Sequence, residues 1–214
     1  MSRSDDIAEL VARHLAFDST APPDSLPLAV PPFGAEEIAA GIETLLSGWL
    51  TMGKQCQAFE EAWSTEVGVR HSICVNSGSS ALLVLLSALV QTGRLRRGEE
   101  VLIPAVGWST SLFSVAQAGL KPVLMDVDPD TLCLEGEHDR PVMALHMLGQ
   151  PSQASGPVVI EDACGAHGAR IGTRAVGSIG VGGAFSFFFS HHLSTIEGGM
   201  ITTNADDLAD EARS

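Results

Sequence analysis

Short apolar runs alternate with helical segments along most of the chain. The predicted strands are 71–76, 101–104, 122–126, 142–146, 158–161, 183–189 and 200–203. The predicted helices between them are 34–46, 54–66, 80–91 and 109–118. Apolar strands that alternate with helices are typical of a parallel sheet with both faces covered. The sequence therefore predicts an α/β fold with three layers (α/β/α) around a mostly parallel sheet.

Two parts of the chain depart from this alternation. Segments 130–141 and 150–157 are too short for a crossover helix, so we expect the sheet to be trimmed there. Before the alternation starts, a helix with one apolar stripe is predicted over 4–17. The five prolines of segment 19–32 exclude regular structure and predict an extended arm. We therefore divide the chain into a helix and proline-rich arm (1–32) and one large domain (33–214).

Charge and cysteine content exclude several classes of partner. The chain has 12 Lys plus Arg and 26 Asp plus Glu, a formal net charge of −14. Such an acidic chain is not expected to bind nucleic acid or an anionic membrane. The four cysteines form no C-x-x-C pair, so no metal site is predicted. Reduced cysteines and a start without a signal-peptide pattern predict a cytoplasmic protein.

A serine- and glycine-rich turn joins the predicted strand 71–76 to the apolar helix that follows. The sequence there is Ser77-Gly78-Ser79-Ser80. Free backbone N–H groups, hydroxyls and the positive end of the helix dipole together favour binding of a phosphate group. The alternative is an ordinary helix N-cap without a ligand.

Two other candidate residues follow predicted strands. Glu161 and Asp162 lie at the end of strand 158–161, and the carboxyl edge of parallel strands is where ligands bind in such sheets. An acid there could pair with a protonated ring nitrogen, or could cap a helix. Trp108 follows strand 101–104 and is either a core residue or a platform on which a flat ring stacks.

The phenylalanine-rich strand predicted over 183–189 leads into His191 and His192. Alternation along this strand predicts one face with Ser186, Phe188 and Ser190 and an opposite face with Phe185, Phe187 and Phe189. Two adjacent histidines on a strand would face opposite ways, so a shared metal site is not expected. One of them could act as a base, because imidazole titrates near neutral pH.

Taken together, these motifs resemble those of the DegT/DnrJ/StrS family of enzymes dependent on pyridoxal phosphate. In chain order they are 49–53 (WLTMG), 59–60 (FE), 76–82 (NSGSSAL), 98–101 (GEEV), 126–128 (DVD), 146–149 (HMLG), 161–163 (EDA), 186–188 (SFF) and 197–200 (EGGM). The resemblance implies fold type I, with 33–214 as a partial cofactor-binding large domain that lacks the small C-terminal domain. It also implies a homodimer and a nucleotide-linked keto-sugar as substrate.

The resemblance assigns a role to each candidate residue. Gly78 and Ser79 would hold the phosphate of the cofactor, and Ser186 would add a hydroxyl. Trp108 would stack on the pyridine ring. Asp162 would pair with the ring nitrogen and keep it protonated, so that the ring can accept electrons.

One position separates this chain from the aminotransferases of that family. His191 stands where those enzymes have a lysine, and histidine cannot form the Schiff base that anchors the cofactor. In having a histidine there, the chain resembles the sugar 3-dehydratases of the family. This resemblance implies pyridoxal or pyridoxamine phosphate bound without a covalent link. His191 would be the base in loss of the 3-hydroxyl from a 4-keto-6-deoxy sugar. A second departure is Gly165, where the family usually has Gln or Glu.

Two alternatives to a 3-dehydratase stay open at this point. One is a sugar aminotransferase, although neither Lys54 nor Lys121 lies in the motif that would supply its lysine. The other is an inactive fragment or a cofactor-binding partner subunit. Gly165, the short connections and the expected absence of the C-terminal domain favour this second alternative.

Overall fold

A computed structural model describes residues 3–15 and 33–214 of the chain. The helices are α1 (Arg3–His14), α2 (Ala35–Ser47), α3 (Lys54–Val67), α4 (Gly78–Gln91), α5 (Ser109–Gln117) and α6 (Asp206–Arg213). The strands are β1 (His71–Val75), β2 (Glu100–Pro104), β3 (Lys121–Met125), β4 (Val142–Leu145), β5 (Val159–Asp162), β6 (Arg170–Ile171), β7 (Arg174–Ala175), β8 (Gly182–Ser186) and β9 (Gly199–Thr203).

Seven of these strands form one sheet in the order β1-β9-β8-β5-β4-β2-β3. All neighbouring pairs among β8, β5, β4, β2 and β3 are parallel. Strand β9 is antiparallel to both β1 and β8, so it alone runs against the others. The predicted α/β fold with a mostly parallel sheet is confirmed, and β6 and β7 form a separate two-stranded hairpin.

The reversed strand has a consequence for the edge of the sheet. Because β9 is antiparallel to β8, connection 187–198 leaves and re-enters the sheet at the same edge. That edge is also where β1, β2 and β5 end. The loop with the two histidines therefore lies at the carboxyl edge of the parallel strands.

Helices α4, α5 and α6 cover one face of the sheet. Leu82, Leu85 and Leu89 of α4 are fully buried against inward-facing strand residues such as Ile160 and Ile201. The spacing i, i+3, i+7 places these three leucines on one face of the helix. Burying a leucine side chain contributes about 1.5–3 kcal/mol, so this face contains much of the core energy.

The opposite face is covered by α3 and by long connections. Trp63 of α3 packs edge-on against Phe185 and Phe187, with ring centroids 5.0 Å apart in both pairs. Segments 130–141 and 150–157 contain no helix, as predicted. The expectation that the sheet would be trimmed there is wrong, since β4 and β5 pair normally and the connections cross as loops.

The strand predicted over 183–189 is shorter than expected. Strand β8 ends at Ser186, and 187–198 form turns and bends. Phe185 and Phe187 pack in the same cluster, as the alternation predicts, but Phe189 is exposed. The predicted alternation of faces therefore fails after Phe187, because the chain turns there toward β9.

Helix α1 confirms a helix near the start of the chain, and it lies against α2. The proline-rich segment 19–32 lies outside the described residues. The division at residue 32 stays a prediction. No helix of the described residues is long and apolar enough to cross a membrane.

Candidate active site

The N-terminus of α4 lies directly against the end of β8. Ser77 caps the helix, and its side chain accepts a hydrogen bond of 3.1 Å from the Ser80 N–H. A Cβ atom on Gly78 would lie 2.6 Å from the Ser186 Cβ and 2.7 Å from the Cys164 Sγ. Only glycine allows this approach, so the turn forms a tight cradle of N–H groups and hydroxyls.

The C-terminal end of loop 187–198, which contains His191 and His192, packs against the same turn. A Cβ on Gly199, the first residue of β9, would lie 2.2 Å from the carbonyl oxygen of Ser77. Glycine at this position lets the strand pass beside the helix end. The cradle and the loop are therefore held in register by backbone contact.

A second helix N-terminus lies beside the first. The hydroxyl of Ser79 donates a 3.3 Å hydrogen bond to the hydroxyl of Thr110, in the first turn of α5. Trp108 is the N-cap residue of α5, and its side chain is 77% exposed. The core alternative for Trp108 is thus wrong, and its indole is free to cover a bound ring at the strand edge.

Asp162 is the last residue of β5 and is 3% exposed. The Ser111 hydroxyl donates a 2.7 Å hydrogen bond to its Oδ2, and the Cys164 N–H donates a 3.3 Å bond to its Oδ1. Each oxygen of a carboxylate can accept more than one hydrogen bond. Asp162 therefore keeps acceptor capacity for a ligand.

The adjacent Glu161 points to the other face and has a different task. Its Oε1 accepts hydrogen bonds of 2.7 Å from the N–H groups of both Ile179 and Gly180. Its Oε2 accepts from the Gly177 N–H at 2.6 Å and lies 3.0 Å from the Nε2 of His146. Glu161 therefore fixes the loop before β8 and is not available to a ligand.

His191 lies on the loop 187–198, half-buried. Burial is the largest influence on its pKa and lowers it below the usual value. His192 lowers the pKa further, and the charge of Asp162 opposes both effects. His191 is thus neutral at neutral pH and close enough to Asp162 to feel its charge, which suits a base at this edge.

The two adjacent histidines do not face opposite ways. The rings of His191 and His192 both stand edge-on to the ring of His167, with centroids 6.0 Å and 5.8 Å away. The reason is that they lie in a turn and not on a strand. Among residues 3–15 and 33–214, no three His, Cys, Asp or Glu side chains are arranged to hold a metal ion.

Several residues of this region were not singled out from the sequence. Ser111 lies three residues after Trp108 on the same helix, so helical spacing could have placed both at one edge. No sequence signal marks His167, which follows Asp162 in a glycine- and alanine-rich loop. Gly165, in the same loop, has open space around it: a Cβ there would meet no atom within 4 Å.

The structure brings the candidate residues into one chain of contacts. Gly78 packs on Ser186, Ser79 bonds to the helix that starts after Trp108, and that helix bonds to Asp162. His191 is coupled to Asp162 by charge. The fold and this edge thus define an α/β protein with a serine- and glycine-rich helix N-terminus and a buried acid at the same edge of the sheet. The role of each residue toward a ligand stays a prediction.

Comparison with known sequences places the chain more narrowly. The profile of the DegT/DnrJ/EryC1/StrS aminotransferase family matches residues 32–214. The chain therefore belongs to this family. The resemblance read from the motifs is confirmed.

Two curated relatives are similar over most of the chain. GDP-4-keto-6-deoxy-D-mannose 3-dehydratase of Yersinia pseudotuberculosis is 32% identical over 203 residues, 86% of this chain and 52% of the relative. Spore coat polysaccharide biosynthesis protein SpsC of Bacillus subtilis (strain 168) is 35% identical over 205 residues, 88% of this chain and 52% of the relative. The chain thus spans about half the length of the curated relatives it matches.

Solved structures share the fold over a similar extent. A GDP-4-keto-6-deoxymannose-3-dehydratase with a trapped PLP-glutamate geminal diamine superposes with a TM-score of 0.80 and 27% identity, covering 88% of this chain and 54% of that one. An aminotransferase from Psychrobacter cryohalolentis gives a TM-score of 0.77 and 30% identity, covering 87% and 52%. The fold of this chain is that of fold-type I enzymes dependent on pyridoxal phosphate.

Proposed function

We propose that this chain contains the cofactor site of a sugar 3-dehydratase that uses pyridoxamine phosphate without a covalent link. The substrate class is a nucleotide-linked 4-keto-6-deoxyhexose, and the reaction removes its 3-hydroxyl as water. The observation that carries the proposal is His191, which occupies the loop after Ser186 at the carboxyl edge of the parallel strands. The names of the dehydratase relatives support the same reaction.

The residues at this edge fit the cofactor. The cradle at Gly78 is closed to any side chain and lies at a helix N-terminus, where a phosphate is favoured. Asp162 is buried and keeps acceptor capacity for a protonated ring nitrogen. Ser79 and Ser186 flank the cradle, and Trp108 stands exposed beside it. The flat ring of the cofactor would thus meet Trp108, its ring nitrogen Asp162, and its phosphate the turn at Gly78.

The chemistry of the bound group is general. Pyridoxamine phosphate supplies an amine that condenses with a carbonyl and a conjugated ring that accepts the electron pair left by proton loss. The protein's part is to position and to move protons. The Asp162 carboxylate would hold the proton on the ring nitrogen, and the Trp108 indole would cover one ring face and exclude water.

His191 would be the group that takes up and returns the proton in this reaction. A neutral imidazole has one nitrogen free to take up a proton, and its lowered pKa keeps it in that form at neutral pH. The same nitrogen would return the proton to the oxygen of the departing 3-hydroxyl, so that water leaves. Because His191 takes up one proton and gives one back, the imidazole is neutral again at the end of the reaction.

An aminotransferase is the second candidate, since the matched family is named for that activity. It would need a lysine at the cofactor. Lys121 is the first residue of β3, at the opposite edge of the sheet, and Lys54 is exposed at the start of α3. Neither follows Ser186. An inactive fragment or a partner subunit that only holds the cofactor is the third candidate.

A homodimer is part of the proposal. Five large apolar side chains in segment 45–52 have more than half of their surface exposed, namely Leu45, Leu46, Trp49, Leu50 and Met52. A contiguous apolar segment of this kind is typical of a protein interface. We expect sedimentation to show a dimer, and Leu50→Asp to give monomers. A wild-type monomer would contradict this part.

The cytoplasm is the proposed location, because all four cysteines are thiols.

Cofactor retention tests the site directly. The chain is incubated separately with pyridoxal phosphate and pyridoxamine phosphate, desalted, and scanned for bound cofactor per chain. We expect close to one pyridoxamine phosphate per chain, and much less in Asp162→Asn and Trp108→Ala. Asp206→Asn is the matched control, because Asp206 is an exposed acid that pairs with Arg70 at the opposite edge of the sheet.

Further measurements separate the three candidates. Borohydride reduction after loading with pyridoxal phosphate should leave no lysine adduct; an adduct would support the aminotransferase. With GDP-4-keto-6-deoxymannose as the first probe, the loaded chain should release the 3-hydroxyl, and His191→Asn should retain cofactor but lose this activity. Retention without activity would favour a cofactor-binding partner. No retention of either cofactor would refute the proposed site in this chain.

A further inference from the structure

His167 sits in an aromatic box that fixes the plane of its ring. The ring is stacked on Phe187 with a centroid distance of 5.4 Å and an interplanar angle of 2°, and on Phe185 at 5.9 Å and 13°. Trp63 meets it edge-on, with the centroids 5.7 Å apart. These contacts leave the imidazole little freedom to rotate. Its orientation is therefore set by the core and not by solvent.

Both nitrogens of this ring are buried and have no hydrogen-bond partner among the described residues. Burial is the main reason that the pKa of His167 falls to about 4, and the neighbouring His191 and His192 lower it further. The imidazole is thus neutral at pH 7, with one N–H donor and one nitrogen lone pair. A buried polar atom without a partner costs about 1–3 kcal/mol, so a retained one needs an explanation.

The surroundings of the ring indicate which nitrogen has the proton. The Ser186 carbonyl lies near the His167 ring and raises its pKa, although the two stop short of a full hydrogen bond. A carbonyl can only accept, so the nitrogen on that side is the donor. The other nitrogen is then an acceptor that needs a donor. Three rings with an N–H have centroids within 6.0 Å of it: Trp63, His191 and His192. The Trp63 indole makes no hydrogen bond to His167 and is held in the core against Phe185 and Phe187. The donors that can turn toward His167 are therefore the two histidines of the loop.

We infer that His167 is a positioning residue for His191, whose ring N–H it accepts, so that the other nitrogen of His191 is left free as the base. The bond needs only a rotation of the His191 side chain toward the His167 ring, which the core holds in place. Catalytic hydrogen bonds are often long or poorly aligned in ligand-free structures, which fits the present separation. The importance of the free nitrogen rests on the proposed function; the bond itself does not.

Histidine tautomers in solution test this inference. The 214-residue chain is labelled with ¹⁵N-histidine, and two-bond ¹H–¹⁵N spectra are recorded at pH 7.5 with and without pyridoxamine phosphate. We expect one tautomer for His191 in the wild type and a mixture in His167→Phe, which keeps the aromatic stack. His167→Gln offers a carbonyl acceptor and should partly restore the single tautomer. His192→Phe is the matched control and should leave His191 unchanged.

Each outcome decides the matter. A single His191 tautomer in His167→Phe, equal spectra for the Phe and Gln variants, or a change confined to His192 would overturn the inference. In turnover, His167→Phe should lower kcat about five- to tenfold with KM unchanged, as expected for one lost orienting hydrogen bond. The tautomer is read without cofactor as well, so loss of cofactor retention refutes the proposed function and leaves this result standing.

Discussion

Glu161 offers the sharpest test of how the sheet is held together. Its side chain is 1% exposed and accepts four hydrogen bonds, two on each oxygen. In Glu161→Gln one oxygen becomes an NH₂ group that can only donate. If it replaces Oε1, the N–H groups of Ile179 and Gly180 face a donor. If it replaces Oε2, the Gly177 N–H and the N–H at Nε2 of His146 face a donor.

His146 cannot relieve this conflict by changing its tautomer. Its Nδ1 accepts a 3.0 Å hydrogen bond from the Ser152 N–H, so the proton must be on Nε2. Moving that proton would break the bond to Ser152. Either orientation of the new amide therefore loses two hydrogen bonds to a charged group, each contributing about 1.5–3 kcal/mol. We expect a destabilisation of about 3–5 kcal/mol.

Urea unfolding followed by far-UV circular dichroism measures this change. With a slope of about 2–3 kcal/mol per molar urea, the midpoint should fall by about 1–2 M. Asp162→Asn is the adjacent control; it should keep the midpoint closer to the wild type and instead weaken cofactor retention. A Glu161→Gln midpoint within about 0.3 M of the wild type would refute the assignment of Glu161 as the anchor of its loop.

Three other predictions concern the site. Trp108→Ala should change the unfolding free energy by less than about 0.5 kcal/mol, because the indole is exposed, but weaken cofactor affinity about three- to tenfold in a fluorescence titration; a large loss of stability would contradict its assignment. Gly78→Ala should cost about 1–3 kcal/mol in urea unfolding and weaken retention, since the new methyl group meets Ser186 and Cys164; an unchanged midpoint would show that the cradle is loose. His167 has a pKa of about 4 when folded and near 6.5 when unfolded, so the unfolded state binds more protons as pH falls, and about 2–3 kcal/mol of stability should be lost between pH 6.5 and 4. The loss should shrink in His167→Phe, and an equally steep profile in that variant would assign the loss to other groups.

Much of the fold could be predicted because its signals are local. Apolar runs and helical spacing place helices α1 to α5 and the sheet strands within a few residues, apart from the end of β8. The direction of β9 could not be predicted, because apolar content does not encode parallel or antiparallel pairing. The full width of the sheet at β4 and β5 was missed for a related reason: a long loop can replace a crossover helix.

The candidate site follows the same division. Gly78, Asp162 and Ser186 could be placed at one edge because each ends or follows a parallel strand. The hydrogen bond from Ser111 to Asp162 and the box around His167 depend on how distant elements pack. Periodicity contains no information on such contacts. The opposite orientation expected for His191 and His192 was wrong because a turn, not a strand, contains them.

The loop 187–198 places His191 outside the regular elements of the scaffold. It is anchored at one end by the buried rings of Phe185 and Phe187 and at the other by Gly199, while Leu193 and Ile196 within it are largely exposed. Substitutions at its exposed positions are therefore expected to leave the sheet and the turn at Gly78 intact. Under the proposed function, a change of the residue at 191 would therefore alter the chemistry without refolding the protein, and this loop would be the place where one scaffold diversifies into several enzymes.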